Sequence, residues 1–375
     1  MSESVTGHAV RSVRAFFADR MPSGSELVRA VVAMTFTSAI GTLTGHPLLG
    51  VYLAIGALWG ITQDLPKPLG RRAIRLLVTA TASGLGTVIG VLAAEDGATP
   101  VRGAVLVVVA VLSGVASGSG LLWSVAALQL LVGTIVASGM PPEPLWWLPA
   151  IALFAGGLIP LVLGIVTDAV GRLFNRSPDG ALPVVTPSTL EAQPGRPDFM
   201  ARLRFGMLLG ACLLAAIGIE GLTGGPHGFW LPLTVAFIYK PDFGPVLGRA
   251  LHRCVGTVIG AASAAASALA LTDDPIIRLL AIALAAIVLA VGARTAYGLA
   301  IAGLTTIVFG LNASLGPLTG LPTDRVRDTL LAAAVVVLAE LVIGVEAPLV
   351  RRYARAVRPA LPIRHAKRTR RWPRV

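Results

Sequence analysis

Long apolar runs alternate with short polar joints along almost the whole chain. Runs close to the roughly 20 residues needed to cross a bilayer fall at residues 26–44, 47–62, 73–94, 101–117, 119–138 and 146–170. A second set falls at residues 203–223, 228–240, 249–272, 276–292, 295–313 and 327–350. This pattern predicts an all-α polytopic membrane protein of about 12 transmembrane helices.

The two sets are related by a fixed offset of 178 residues. Gly50, Leu53, Asp64, Leu69, Gly70, Arg71, Arg75, Asp96, Gly114 and Gly120 recur as Gly228, Leu231, Asp242, Leu247, Gly248, Arg249, Arg253, Asp274, Gly292 and Gly298, with no gap. A repeat of this length in an apolar chain predicts two copies of one six-helix membrane domain. The expected organisation is an N-terminal segment over 1–25, repeat one over 26–170, a linker over 171–200, repeat two over 201–350 and a basic tail over 351–375. The linker is rich in Pro, Gly, Ser and Thr, which fits a connection rather than a domain.

Charge orients these elements. Placing the N-terminus inside puts 27 of the 31 Lys and Arg residues in cytosolic segments and leaves Arg102, Arg278, Arg325 and Arg327 outside. The positive-inside rule then predicts cytosolic termini and a common orientation for the two copies. They would be related by an axis along the membrane normal, as in parallel-repeat transporters. The net charge of +12 thus reads as topology and not as a nucleic-acid footprint. The basic tail is expected to lie on anionic lipid headgroups. Residues 1–20 carry Arg11, Arg14 and Arg20 and no apolar stretch, so no cleavable signal is expected there.

Composition agrees. Apolar residues make up 55% and charged residues 13% of the chain, against about 25% charged in soluble domains. The 42 glycines suit close helix approach in lipid. Cys212 and Cys254 are too few for a disulfide framework or metal site. The sequence holds no G-x-x-x-x-G-K-[ST], G-x-S-x-G or H-E-x-x-H run. No enzyme activity and no cofactor are expected.

Three features carry candidate chemistry. The second span of each copy is short, aromatic and interrupted. Residues 50–60 include Tyr52, Gly56, Trp59 and Gly60, and residues 228–240 include Phe229, Trp230, Pro232, Tyr239 and Lys240. Broken spans at matching positions point to a transport site, although such aromatics also serve as interfacial belts. The loop that follows carries the turn residues Asp64 and Asp242, and then Arg71 and Arg75 in copy one and Arg249 and Arg253 in copy two. These four arginines are expected at a shared cytosolic mouth, where guanidinium groups could bind a carboxylate. The alternative is topology anchors paired with the two Asp. Third, Glu340 lies well inside the last span, opposite Val162 of copy one. A carboxylate there is a candidate for proton coupling or, protonated, for interhelical hydrogen bonding. Gln129 and Asn312 are weaker candidates of the same kind. Gly-Thr-Val-Ile-Gly at 86–90 and 256–260 is read as helix packing.

The residues Phe229-Trp230-Leu231-Pro232-Leu233-Thr234, Pro241-Asp242-Phe243-Gly244, Arg249 with Arg253, and Gly256-Thr257 resemble the core signature of the fusaric acid resistance protein-like (FUSC) transporters of the aromatic acid exporter superfamily. Tyr52, Gln63-Asp64-Leu65-Pro66 and Gly70-Arg71 resemble the same block in copy one. The resemblance implies an inner-membrane efflux transporter for aromatic or other hydrophobic organic acids, driven by the proton gradient. Its expected partners are a small organic anion and membrane lipids. A passive organic-anion channel and a non-transporting membrane scaffold are the competing readings.

Overall fold

The computed structural model describes residues 21–64, 69–95, 99–141, 144–173, 198–223, 227–239, 246–270, 274–316 and 320–343. Lys240, Asp242, most of the linker and the basic tail lie outside the described residues. Among the described residues every element is helical: α1 (Gly24–Leu43), α2 (Pro47–Gln63), α3 (Leu69–Glu95), α4 (Thr99–Ala116), α5 (Leu121–Gly139), α6 (Leu148–Leu173), α7 (Phe199–Thr223), α8 (Trp230–Ile238), α9 (Val246–Ala270), α10 (Pro275–Thr295), α11 (Tyr297–Asn312) and α12 (Leu321–Ile343). Each apolar run of the sequence corresponds to one helix. Six of them, α1, α3, α5, α6, α7 and α10, are long and apolar enough to cross a membrane. The fold is that of an all-helical, multi-pass membrane protein.

Local sequence sets the helix ends. Ser23 and Glu26 form a capping box at the start of α1, with the Ser23 hydroxyl accepting from the Glu26 amide at 3.3 Å and the Glu26 carboxylate from the Ser23 amide at 2.7 Å. Gly45, at φ +71°, lets the chain reverse before Pro47 opens α2. Asp274 caps α10 by accepting from the Ile276 amide at 2.8 Å. α8 has nine residues, about 13 Å at 1.5 Å per residue, or roughly half the hydrocarbon thickness.

Helix partners recur along the chain. In the first half α3 packs on α5, α2 on α6, α3 on α6, α1 on α2 and α4 on α5. In the second half α9 packs on α11, α8 on α12, α9 on α12, α7 on α8 and α10 on α11. The halves meet through α4 with α7 and α10 with α1, and, further inside, through α5 with α8 and α11 with α2.

Glycine makes the closest of these contacts. A Cβ on Gly56 of α2 or Gly156 of α6 would strike the backbone carbonyl of Leu153 or Leu53 respectively. One on Gly86 of α3 would strike that of Leu130 in α5, and one on Gly260 of α9 would lie 2.6 Å from that of Ala302 in α11. The two Gly-Thr-Val-Ile-Gly runs therefore serve the same kind of joint, the third helix of a half against the fifth.

Candidate functional site

A small cavity of about 50 Å³ lies where the two second spans meet, room for a few water molecules. Its walls pair positions that the 178 offset relates: Val51 with Phe229, Ile55 with Leu233, and Trp59 with Phe237. The last pair is in direct contact, with ring centroids 5.0 Å apart and planes tilted by 32°. α5 contributes Val136 and α11 contributes Leu304 and Asn312. The wall is apolar apart from Asn312 and two arginines.

Arg253, on α9, is 1% exposed, and its guanidinium carbon sits 4.5 Å from the centroid of the Phe237 ring. Nη1 donates to the Tyr297 hydroxyl at 3.5 Å, while Nε and Nη2 have no partner. Arg325, in the first turn of α12, is 2% exposed and lies 5.1 Å from the Trp230 ring. Its Nε and Nη1 have no partner. Among the described residues neither arginine has a carboxylate within ion-pair distance. Buried guanidinium groups are costly unless paired, so two of them facing one cavity mark a place for anionic charge. The rings beneath them are suitable supports, because a cation is attracted to the face of an aromatic ring.

Among the described residues, Asp324 and Asp328, the acids near the cavity, are engaged by Arg327. Asp328, whose charge is felt by Arg325, accepts from Nε and Nη2 of Arg327 at 3.2 Å each. Arg327 also pairs with Asp324 at 3.5 Å. His227, just before α8, stacks on Trp230 with centroids 4.7 Å apart. Burial lowers its pKa, against the opposing charges of Asp324 and Asp328.

The sequence-predicted residues divide between several places. Trp59, Trp230 and Arg253 line the cavity. Tyr52 is buried in the core around α2, α5 and α6, with Leu128 and Leu153. Tyr239 is buried against Phe205, with ring centroids 4.9 Å apart. The four arginines of the loop motif have different surroundings. Arg71 is exposed, and Arg75 donates through Nη2 to Gln63 Oε1 at 2.7 Å. Arg249 lies by Glu340, one turn before Arg253, and does not line the cavity. Positions at i and i+4 share a helix face, yet only Arg253, 1% exposed, lines the cavity, while Arg249 stays half-buried one turn nearer the start of α9. Glu340 is half-buried beside Tyr239 and Arg249, away from the cavity. Asp64 is held by Arg72, at 2.9 Å from Nη2, and by Arg29, at 3.2 Å from Nε. Burial raises its pKa, opposed by the charges of Arg72 and Arg29.

Sequence reasoning missed Arg325. It fell among the few cations on the outer side and so read as a loop residue. That exception to the positive-inside rule was itself the available signal.

No curated protein and no solved structure matches the chain. Residues 211–339, which carry Trp230, Phe237, Arg253 and Arg325, match the family model described as fusaric acid resistance protein-like, the family that the Phe229-to-Thr257 motifs resemble.

Proposed function

We propose that the chain is an inner-membrane efflux transporter for aromatic or other hydrophobic organic acids. The observation that carries this reading is the pair of buried arginines, Arg253 and Arg325, with unpartnered N–H groups over aromatic rings in a membrane-buried cavity. Guanidinium pairs with carboxylate, and the rings of Trp59, Trp230 and Phe237 suit a flat apolar body. A fusaric acid resistance family name is in keeping with an organic acid as cargo.

The reading includes two parallel six-helix repeats around an axis through the cavity. The recurring packing partners and the contact of Trp59 with its offset partner Phe237 support it. A site on such an axis can open to either side as one repeat rocks against the other. Proton coupling is assigned to Glu340, supported by a carboxyl group held beside Tyr239 and Arg249 within the second repeat.

Uptake of a panel of aromatic carboxylates into proteoliposomes, with and without a pH gradient, tests the whole. Accumulation that needs the gradient is the expected result. Equilibration that ignores the gradient indicates a channel, and no uptake of any anion removes the transporter reading.

A further inference from the structure

The geometry points to a ligand with two negative charges. We propose that the cavity between α2 and α8 selects aromatic dianions, such as benzene dicarboxylates, over monocarboxylates of the same size. The inference rests on the reading of the cavity as an organic-anion site and adds the number and placement of the charges.

Three observations carry it. First, the two guanidinium groups come from different helices and lie over different rings, Arg253 over Phe237 and Arg325 over Trp230. They are separate binding points and not a single clamp on one carboxylate. Second, they repel each other across the cavity, and among the described residues nothing on the wall neutralises both. Asp328 is already held by Arg327, which also takes Asp324. One monoanion leaves one buried guanidinium uncompensated, whereas a dianion satisfies both. Third, Arg253 is oriented. Its Nη1 is tied to the Tyr297 hydroxyl, and Nε with Nη2, the side edge that forms two parallel hydrogen bonds to a carboxylate, is the free edge. Arg325 likewise keeps Nε and Nη1 free. A ring between the two points would rest against Trp59 and the other aromatic residues of the wall.

The test is ligand binding to the purified full-length protein in detergent, by titration calorimetry, with benzamide, benzoate, isophthalate and terephthalate as probes. Benzoate should bind more tightly than neutral benzamide. The better of the two dicarboxylates should bind about tenfold or more tightly than benzoate, the effect of one further charge-assisted hydrogen-bonded pair. Arg325→Gln should bring the dicarboxylate down to the benzoate level. If benzoate binds but neither dicarboxylate binds more tightly, the two-charge proposal is overturned while the anion site stands. If benzoate binds no better than benzamide and neither dicarboxylate binds, the anion-site reading falls with it. The wild-type comparison decides the question without the variant, should Arg325→Gln fail to fold.

Discussion

Arg75 and Arg253 occupy one position of the repeat and meet different fates. Arg75 spends a donor on Gln63 at 2.7 Å, whereas Arg253 turns into the cavity with Nε and Nη2 free. Lysine at either position keeps the topology charge but loses the planar fork. Arg253→Lys is therefore expected to lower uptake of an aromatic carboxylate by about tenfold, the loss of one charge-assisted bond. Arg75→Lys should leave uptake near wild type at equal expression. Loss in both, or in neither, would show that the cavity is not where the anion is held. Glu340→Gln should abolish accumulation driven by a pH gradient and still permit downhill exchange. If the variant still concentrates substrate, the proton is carried elsewhere. His227 gives a pH signature of its own. Its folded pKa is depressed by burial, so its contribution to stability is complete above the unfolded value of about 6.5 and is lost as pH falls below it. Thermal unfolding of the purified protein should shift down between pH 7.5 and 5.5, and His227→Gln should flatten that shift. A slope unchanged in the variant would assign it to other groups.

At the scale of elements, the apolar pattern located every described helix because lipid-facing and core-facing runs are both apolar and differ from their joints. It was less informative about helix starts. The last run reads as beginning at 327, yet α12 begins at Leu321. The added turn is polar: it follows Gly320 at φ +79°, and the Asp324 amide donates to the Gly320 carbonyl at 3.0 Å. Hydropathy cannot see such a turn, and this turn is the one that carries Arg325 into the bundle. The shortness of α8 was legible, since proline and rings stand out there, whereas α2 runs unbroken over 17 residues despite the glycines that suggested an interruption. The different surroundings of the four loop arginines were not legible, because they depend on tertiary contacts such as Arg75 with Gln63 and Arg253 with Phe237. Packing at glycine offers a direct check. Alanine at Gly56 would press a methyl group into the backbone of Leu153, whereas Gly70 has nothing within 4 Å of an added Cβ. Gly56→Ala is expected to destabilise the protein by about 1–3 kcal/mol, as overpacking does, and Gly70→Ala to change it by less than about 0.5 kcal/mol. Thermal unfolding in one detergent compares them. Equal midpoints would mean that α2 and α6 separate more freely than their contact implies.

For the whole molecule, polar contacts sort helix ends into two groups. In one group, Asp64 at the end of α2 meets Arg29 near the start of α1 and Arg72 near the start of α3, while Arg29 also reaches Thr167 near the end of α6 at 3.4 Å. Glu26 at the start of α1 pairs with Arg294 at the end of α10. Arg202 at the start of α7 donates to the Val115 carbonyl and the Ser119 hydroxyl at the end of α4, both at 3.0 Å. In the other group, Arg102 at the start of α4 pairs with Glu220 at the end of α7 at 3.1 Å and reaches Ser138 at the end of α5 at 3.3 Å. The parallel-repeat reading expects the starts of α1 and α7 on one side, with an even number of crossings in each half. On that reading the linker shares the side of both termini. The excess of Lys and Arg predicts that this side is the cytosol. Single cysteines at Ser177, Ser188 and Thr369 should then resist a membrane-impermeant thiol reagent in intact cells and react once the membrane is opened. Labelling of Ser177 or Ser188 from outside would make the number of crossings in the first half odd. The halves would then be inverted and not parallel, and the ring pair of Trp59 and Phe237 would no longer mark an axis along the membrane normal.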